Sequence, residues 1–308
     1  MSRGSIIFPP YLSKGDIVGI VCPAGFMPLD KVGECVRVLN EVWGFRVKVG
    51  KTVGTKYNYF SGRDEERLAD IQEMLDDDSV KAILCGRGGY GTGRIIDRIN
   101  FRKFLRQPKW IIGFSDITVL HAHILSRYQI ASLHAPMANA FNNDGYLGEY
   151  VKSLRKALTG KSGNYSASPH PFNHPGKAKG ILLGGNLSLI AHLTGTPSDI
   201  ETRGRILFLE DVGEYLYNID RMLYQLKRSG KLKGLAGLVL GGFTECKDTE
   251  TPFGKTVEEI IHDIVKEYRF PVCYGFPVSH DKENYTLKIG AQYSLSVTRN
   301  KVTLREIK

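Results

Sequence analysis

Residues 16–23 read DIVGIVCP, and the four stretches after them decide the fold: LDKVGECVRVLNEVWG (29–44), FRVKVG (45–50), EERLADIQEMLDDD (65–78) and VKAILCG (80–86). The first, third and fifth of these five segments are short, apolar and β-branched. The second and fourth set apolar residues among charged ones at amphipathic helical spacing. Strands separated by helix-length segments run parallel through crossovers, because a tight hairpin would not consume that much chain. A further strand at Trp110–Gly113 enters the helical stretch Asp116–Tyr128, and Gln129–Leu133 reads as the next strand. Residues 1–158 are therefore expected to form an α/β domain on a doubly wound parallel sheet.

The pattern breaks at TGKSGNYSASPHPFNHPGK (159–177), whose glycines, serines and three prolines disfavour regular structure. We place a linker over 159–179. A second domain, 180–308, resumes with strand candidates AKGILLGG, RGRILFLE, LAGLVLGG and PVCYG, with helices at Leu187–Leu193, Ile219–Arg228 and Val257–Tyr268, and its last forty residues read mainly as β. At 308 residues the chain is long for one compact core, which agrees with two domains.

Composition narrows the function classes. A hydrophobic fraction of 42% with 24% charged residues is that of a globular protein, and no stretch approaches the roughly 20 apolar residues that cross a bilayer. The amino terminus lacks the apolar core of a secretory leader, so a soluble, cytoplasmic protein is expected. Five scattered cysteines, without the paired spacing of metal or redox motifs, read as reduced packing residues. The net charge of +10 is dispersed, and its densest group, Lys227, Arg228, Lys231 and Lys233, falls at a helix end where cations favour the dipole. Neither nucleic acid nor a membrane is an expected partner.

Several residues could carry chemistry. Ser115, in WIIGFSDIT, stands between an apolar strand and a helix, where a hydroxyl is lifted to the carboxyl edge of a sheet and helix amides can stabilise an oxyanion. The same position suits a helix N-cap, and Ile117 departs from the G-x-S-x-G elbow pattern. The run CGRGGYGTG (85–93) comes directly after a strand. It lacks the G-K-[ST] ending of a phosphate loop and the downstream acid of a dinucleotide site, which leaves an oxyanion hole, substrate cradling or a structural turn. Glu210 and Asp211 end a buried-looking strand, either to orient a histidine or as a solvated strand end. Of eight histidines, His121 and His123 face different ways on one helix, His170 and His174 fall in the linker, and His280 sits in a polar loop that suits either a general base or an incidental surface histidine.

Taken together, CGRGGYGTGRIID, IIGFSDIT, GGNLSLIAHLTGTP, LFLEDVGEYLYNIDRMLYQL and GFPVSH resemble, block by block and in order, the LD-carboxypeptidase (muramoyltetrapeptide carboxypeptidase) family of serine peptidases. The resemblance implies Ser115 as nucleophile, Glu210 rather than Glu214 as the relay acid and His280 as base. Backbone amides of Gly89 and Asp116 would form the oxyanion hole. It also implies an amino-terminal domain like class I glutamine amidotransferases, a carboxy-terminal domain with a barrel-like β core, an active site between them, and a homodimer. No metal or cofactor is implied, since nucleophile, base and orienting acid suffice. The implied substrate is a cytoplasmic murein tetrapeptide that loses its terminal D-Ala in cell-wall recycling, with Arg87 and Asn186 as candidate ligands of its carboxylate. Two alternatives stand beside this: a microcin-immunity-type peptidase acting on peptidyl-nucleotide adducts, and a non-catalytic muropeptide binder.

Overall fold

The near-continuous apolar runs IVGIV and VKAILC build the centre of the first sheet, buried along almost their whole length. In this computed structural model, which describes residues 5–307, the chain forms two units. Residues 1–4, part of the amino-terminal segment expected to carry no leader, and Lys308 lie outside the described residues. The first unit runs to Lys161 and takes in Tyr285–Lys288; the second holds Ser162–Asn284 and the chain from Ile289.

In the first unit, β1 (Ile17–Val21), β2 (Arg46–Val49), β3 (Val80–Cys85), β4 (Trp110–Gly113) and β5 (Ser132–His134) are parallel in the order β2-β1-β3-β4-β5. A later strand, β11 (Leu287–Ile289), adds at the β5 edge. The crossovers carry α1 (Gly33–Arg37), α2 (Asp64–Asp76), α3 (Thr92–Ile95), α4 (Arg102–Arg106) and α5 (Thr118–Tyr128), and α6 (Glu149–Leu158) follows β5. Val18, Ile20, Ala82, Leu84, Trp110 and Ile112 pack with Cys35, Leu39, Val151 and Leu154 in one buried cluster. At Gly19, between two of these residues, a β-carbon would come within 2.9 Å of the Met74 sulfur of α2 and would make that side chain shift. This is the doubly wound order whose switch point lies between β1 and β3, the place where such sheets hold ligands beyond their carboxyl ends.

The second unit carries a seven-stranded sheet in the order β10-β9-β8-β7-β12-β13-β6. Four strands are parallel: β7 (Gly176–Asn186), β8 (Ile206–Val212), β9 (Gly237–Thr244) and β10 (Val272–Cys273), linked through α7 (Leu187–His192), α8 (Leu216–Arg228) and α9 (Val257–Val265). Beyond β7 the sheet turns antiparallel through β12 (Gln292–Val297), β13 (Val302–Glu306) and β6 (Asn164–Ala167).

Two expectations are corrected here. The barrel-like core is instead an open mixed sheet: closure needs the terminal strands to bond each other, whereas among the described residues β6 and β10 end the order at opposite edges. The supposed linker holds a strand, because Asn164–Ala167 pairs with Val302–Arg305 as an edge strand, and Pro169, Pro171 and Pro175 all come after it. Among the described residues no helix is long and apolar enough to cross a membrane.

Candidate active site

Strand β4 ends at Gly113, and the chain bends through Phe114 into a 3₁₀ turn, Ser115–Ile117, that leads into α5. Ser115 adopts φ +62°, the left-handed region that a β-carbon disfavours by about 1–2 kcal/mol. It does not act as a cap. Phe114 holds the cap position of the turn, and neither the turn nor α5 receives a side-chain cap hydrogen bond. A strained serine at a strand-to-helix turn is the geometry of a nucleophile elbow, although the local sequence departs from the usual elbow motif. Behind it, buried His121 reaches the Gly113 carbonyl through Nε2 at 2.9 Å. Burial pushes the His121 pKa down to about 4, so the ring is neutral and donates there.

The glycine run beside β3 wraps closely around this turn. A β-carbon on Gly88 would stand 2.8 Å from Ser115 Cβ and 3.1 Å from its Oγ, so only glycine fits without displacement. The Gly88 carbonyl accepts from the Gly25 amide at 2.9 Å, which joins the loops after β1 and β3 at the switch point. The Gly89 amide has no backbone acceptor among the described residues. The Asp116 amide lies in the first turn, where helix geometry leaves N–H groups unpaired.

Asp116 also fastens the loop from the other side, its buried carboxylate accepting the Thr92 amide at 2.8 Å. Burial raises the Asp116 pKa, against the Thr92 and Gly91 hydrogen bonds. Fully buried Arg67 completes the clamp by donating to the carbonyls of Pro23 and Gly91, the latter at 3.0 Å, while pairing with Asp64. Sequence reasoning missed Arg67, which reads there as one more charge on the polar face of α2.

In the second unit Glu210 lies near the end of β8, where the register with β9 shifts between Leu209 and Asp211. Such bulges re-aim a side chain at a strand end. Glu210 is fully buried, and its Oε2 lies 2.6 Å from Nδ1 of His280. The contact fixes the tautomer, with Nδ1–H donating to the carboxylate and Nε2 left as the basic nitrogen. Burial alone would lower the His280 pKa; the Glu210 hydrogen bond and charge, with Asp211 and Asp281 adding, hold it above the ordinary imidazole value.

Glycines of β9 seat the histidine loop. A Gly241 β-carbon would meet the Val278 carbonyl at 2.1 Å and Glu210 Cβ at 3.1 Å, and one on Gly242 would meet Ser279 Cβ at 2.6 Å. The loop closes through a bridge between Val278 and Asn284, with Ser279 Oγ donating to the Glu283 carbonyl at 3.1 Å. Glu214 does not share the role of Glu210; its carboxylate accepts from Asn218 at 3.1 Å.

The two expected carboxylate ligands fare differently. Asn186 is buried at the end of β7, donating to Asp211 at 2.7 Å and accepting from Ser188 Oγ at 2.7 Å and the Leu189 amide at 3.3 Å, so it caps α7. Asp211 also accepts the Ser188 and Val212 amides at 2.9 Å, and burial, with the Glu210 charge adding, pushes its pKa up to about 7. Arg87 is exposed beside Gly88, with Nη1 donating to the Phe26 carbonyl at 2.8 Å. All five cysteines are free, and among the described residues no group of His, Cys, Asp and Glu is arranged to hold a metal.

Comparison with known proteins agrees in both units. Residues 18–135 match the LD-carboxypeptidase N-terminal domain and residues 179–295 the LD-carboxypeptidase C-terminal domain. A probable murein peptide carboxypeptidase of Bacillus subtilis is 38% identical over 94% of this chain and 91% of its own length. A murein tetrapeptide carboxypeptidase of Pseudomonas aeruginosa is 30% identical over 87% and 89%. Among solved structures, a muramoyltetrapeptide carboxypeptidase from Oxalobacter formigenes superposes with a TM-score of 0.85 at 29% identity, covering 95% of this chain and 99% of that one.

Proposed function

The chain belongs to the LD-carboxypeptidase family, and from that premise we propose that it hydrolyses the L,D amide bond before the terminal D-Ala of a murein tetrapeptide, with Ser115 as nucleophile. The observation that carries this reading is the buried Glu210–His280 contact at 2.6 Å, together with a strained Ser115 that caps no helix. The two features supply a base of fixed tautomer and a hydroxyl freed from structural duty.

In the proposed reaction His280 Nε2 takes the proton of Ser115 Oγ as the oxygen attacks the scissile carbonyl, and the Gly89 and Asp116 amides stabilise the oxyanion. The imidazolium returns its proton to the leaving amine, so D-Ala departs and an ester to Ser115 remains. Water then attacks that ester with His280 again as base, releasing the tripeptide and restoring the serine. Glu210 orients the ring and stabilises the imidazolium. Action in the cytoplasm, a homodimer and amidotransferase-like ancestry of the first unit belong to the same reading and rest on the family resemblance.

The peptidyl-nucleotide alternative asks for an aromatic platform, and neither tryptophan offers one: Trp43 and Trp110 are buried in the core. The test is to incubate the protein with a disaccharide tetrapeptide and identify products by mass spectrometry. Free D-Ala and the tripeptide are expected; an intact substrate after prolonged incubation would overturn the reading.

A further inference from the structure

A short hairpin tip, residues 56–61, lies against the glycine loop and takes no part in the proposed chemistry at Ser115. It is held rigidly: Tyr57 and Phe60 exchange backbone hydrogen bonds at 2.9 and 3.0 Å, and the Ser61 amide donates to the Ala24 carbonyl at 3.1 Å. Three contacts converge there on Phe26. The Arg87 guanidinium is bound to the Phe26 carbonyl at 2.8 Å, and the Lys56 ammonium stands 5.3 Å over the Phe26 ring. The Phe26 amide donates to the Tyr59 carbonyl at 3.0 Å.

The Tyr59 side chain is 57% exposed, yet its hydroxyl is only 3.1 Å from the place a Gly89 β-carbon would occupy. Gly88 makes the corresponding close approach to Ser115. Consecutive Cα atoms lie about 3.8 Å apart, so the phenol and the nucleophile flank one short piece of backbone. Neighbouring cations are already committed: Arg94 pairs with Asp64 at 2.8 Å, and Arg63 stacks over Tyr57 at 5.3 Å. Lys56 and Arg87 make no ion pair among the described residues.

We infer that Lys56, Tyr59 and Arg87 form the recognition corner for the free carboxylate of the residue to be released, and so make the enzyme a carboxypeptidase rather than an endopeptidase. The inference rests on the proposed hydrolysis at Ser115. A phenol at the Gly89 position and two cations gathered on Phe26 match a carboxylate that sits one residue from the scissile carbonyl. An uncharged terminus would offer the two cations no opposite charge.

The test compares a murein tetrapeptide with its C-terminal amide as substrates, measuring kcat/KM for each. The wild type is expected to favour the acid strongly. Tyr59→Phe and Lys56→Met should each cut the acid-to-amide ratio, Tyr59→Phe by about tenfold, with little change in the rate on the amide or in the unfolding midpoint. A wild type indifferent to the carboxylate, or variants that keep its full preference, would overturn the inference. Calorimetric binding of the same two peptides to Ser115→Ala separates this from failure of the catalytic reading. If the wild type cleaves neither peptide, acid-selective binding that Tyr59→Phe abolishes still supports the corner, and unselective binding overturns it.

Discussion

Substituting Gly88 by alanine tests how the glycine run serves the nucleophile. The added methyl would stand 2.8 Å from Ser115 Cβ, 3.1 Å from Oγ and 3.3 Å from the Phe114 carbonyl. Carbon atoms rest about 3.5–4.0 Å apart, so roughly 1 Å must be found. Rotating the serine cannot supply it, because Cβ is fixed by the backbone. Gly88 is not among the glycines with positive φ, so alanine meets no dihedral penalty and the clash acts alone. Overpacking of this kind costs about 1–3 kcal/mol, and a displacement of about 1 Å at a reacting group costs about a hundredfold in rate. Gly93 is the matched control in the same loop: nothing lies within 4 Å of its β-carbon position, and alanine in α3 should stabilise by about 0.5–1 kcal/mol. D-Ala release and urea unfolding would be measured on both. Wild-type kcat in Gly88→Ala, or equal losses in the two variants, would show that close packing of Gly88 does not position Ser115.

Ser115→Gly should be more stable than Ser115→Ala by about 1 kcal/mol in chemical denaturation, because glycine relieves φ +62°, and both should be inactive; equal stability would remove the strain from the picture. For pH dependence, His280 must be neutral to accept the serine proton, so activity is lost as pH falls through a pKa held above the ordinary imidazole value. Glu210→Gln removes the charge that raises it; the acidic limb of kcat/KM should move to lower pH while the plateau falls about 10³–10⁴-fold. An unmoved limb would mean that Glu210 does not act through His280. Gly241→Ala forces a methyl to within 2.1 Å of the Val278 carbonyl, and a loss of about 3 kcal/mol or more in unfolding free energy, with loss of activity, is expected; near-wild-type behaviour would show that the histidine loop is not seated on β9.

The order of β-branched runs and amphipathic stretches located β1 to β5 and the parallel half of the second sheet, because each strand there is a short run rich in β-branched or apolar residues and helical segments lie in the crossovers between them. Asn164–Ala167 was not legible as a strand: it pairs only at an edge, half its residues face solvent, and prolines come closely after it. The placement of Tyr285–Lys288 with the first unit depends on pairing between distant segments, which local composition does not encode. At the site, motif order pointed to Ser115, Glu210 and His280, and the contact between the last two is present. What sequence could not convey is why they stand where they do. The left-handed turn at Ser115, the bulge beneath Glu210, the buried Arg67 clamp and the capping role of Asn186 all arise from backbone geometry and burial, to which residue identity alone is silent.

The role of Ser115 is tested most simply by D-Ala release from a murein tetrapeptide by wild-type protein and by Ser115→Ala, each shown to be folded by its cooperative unfolding transition. Release by the wild type and a fall of about 10⁴-fold or more in the variant are expected if Ser115 is the nucleophile. Release by Ser115→Ala at the wild-type rate would contradict it.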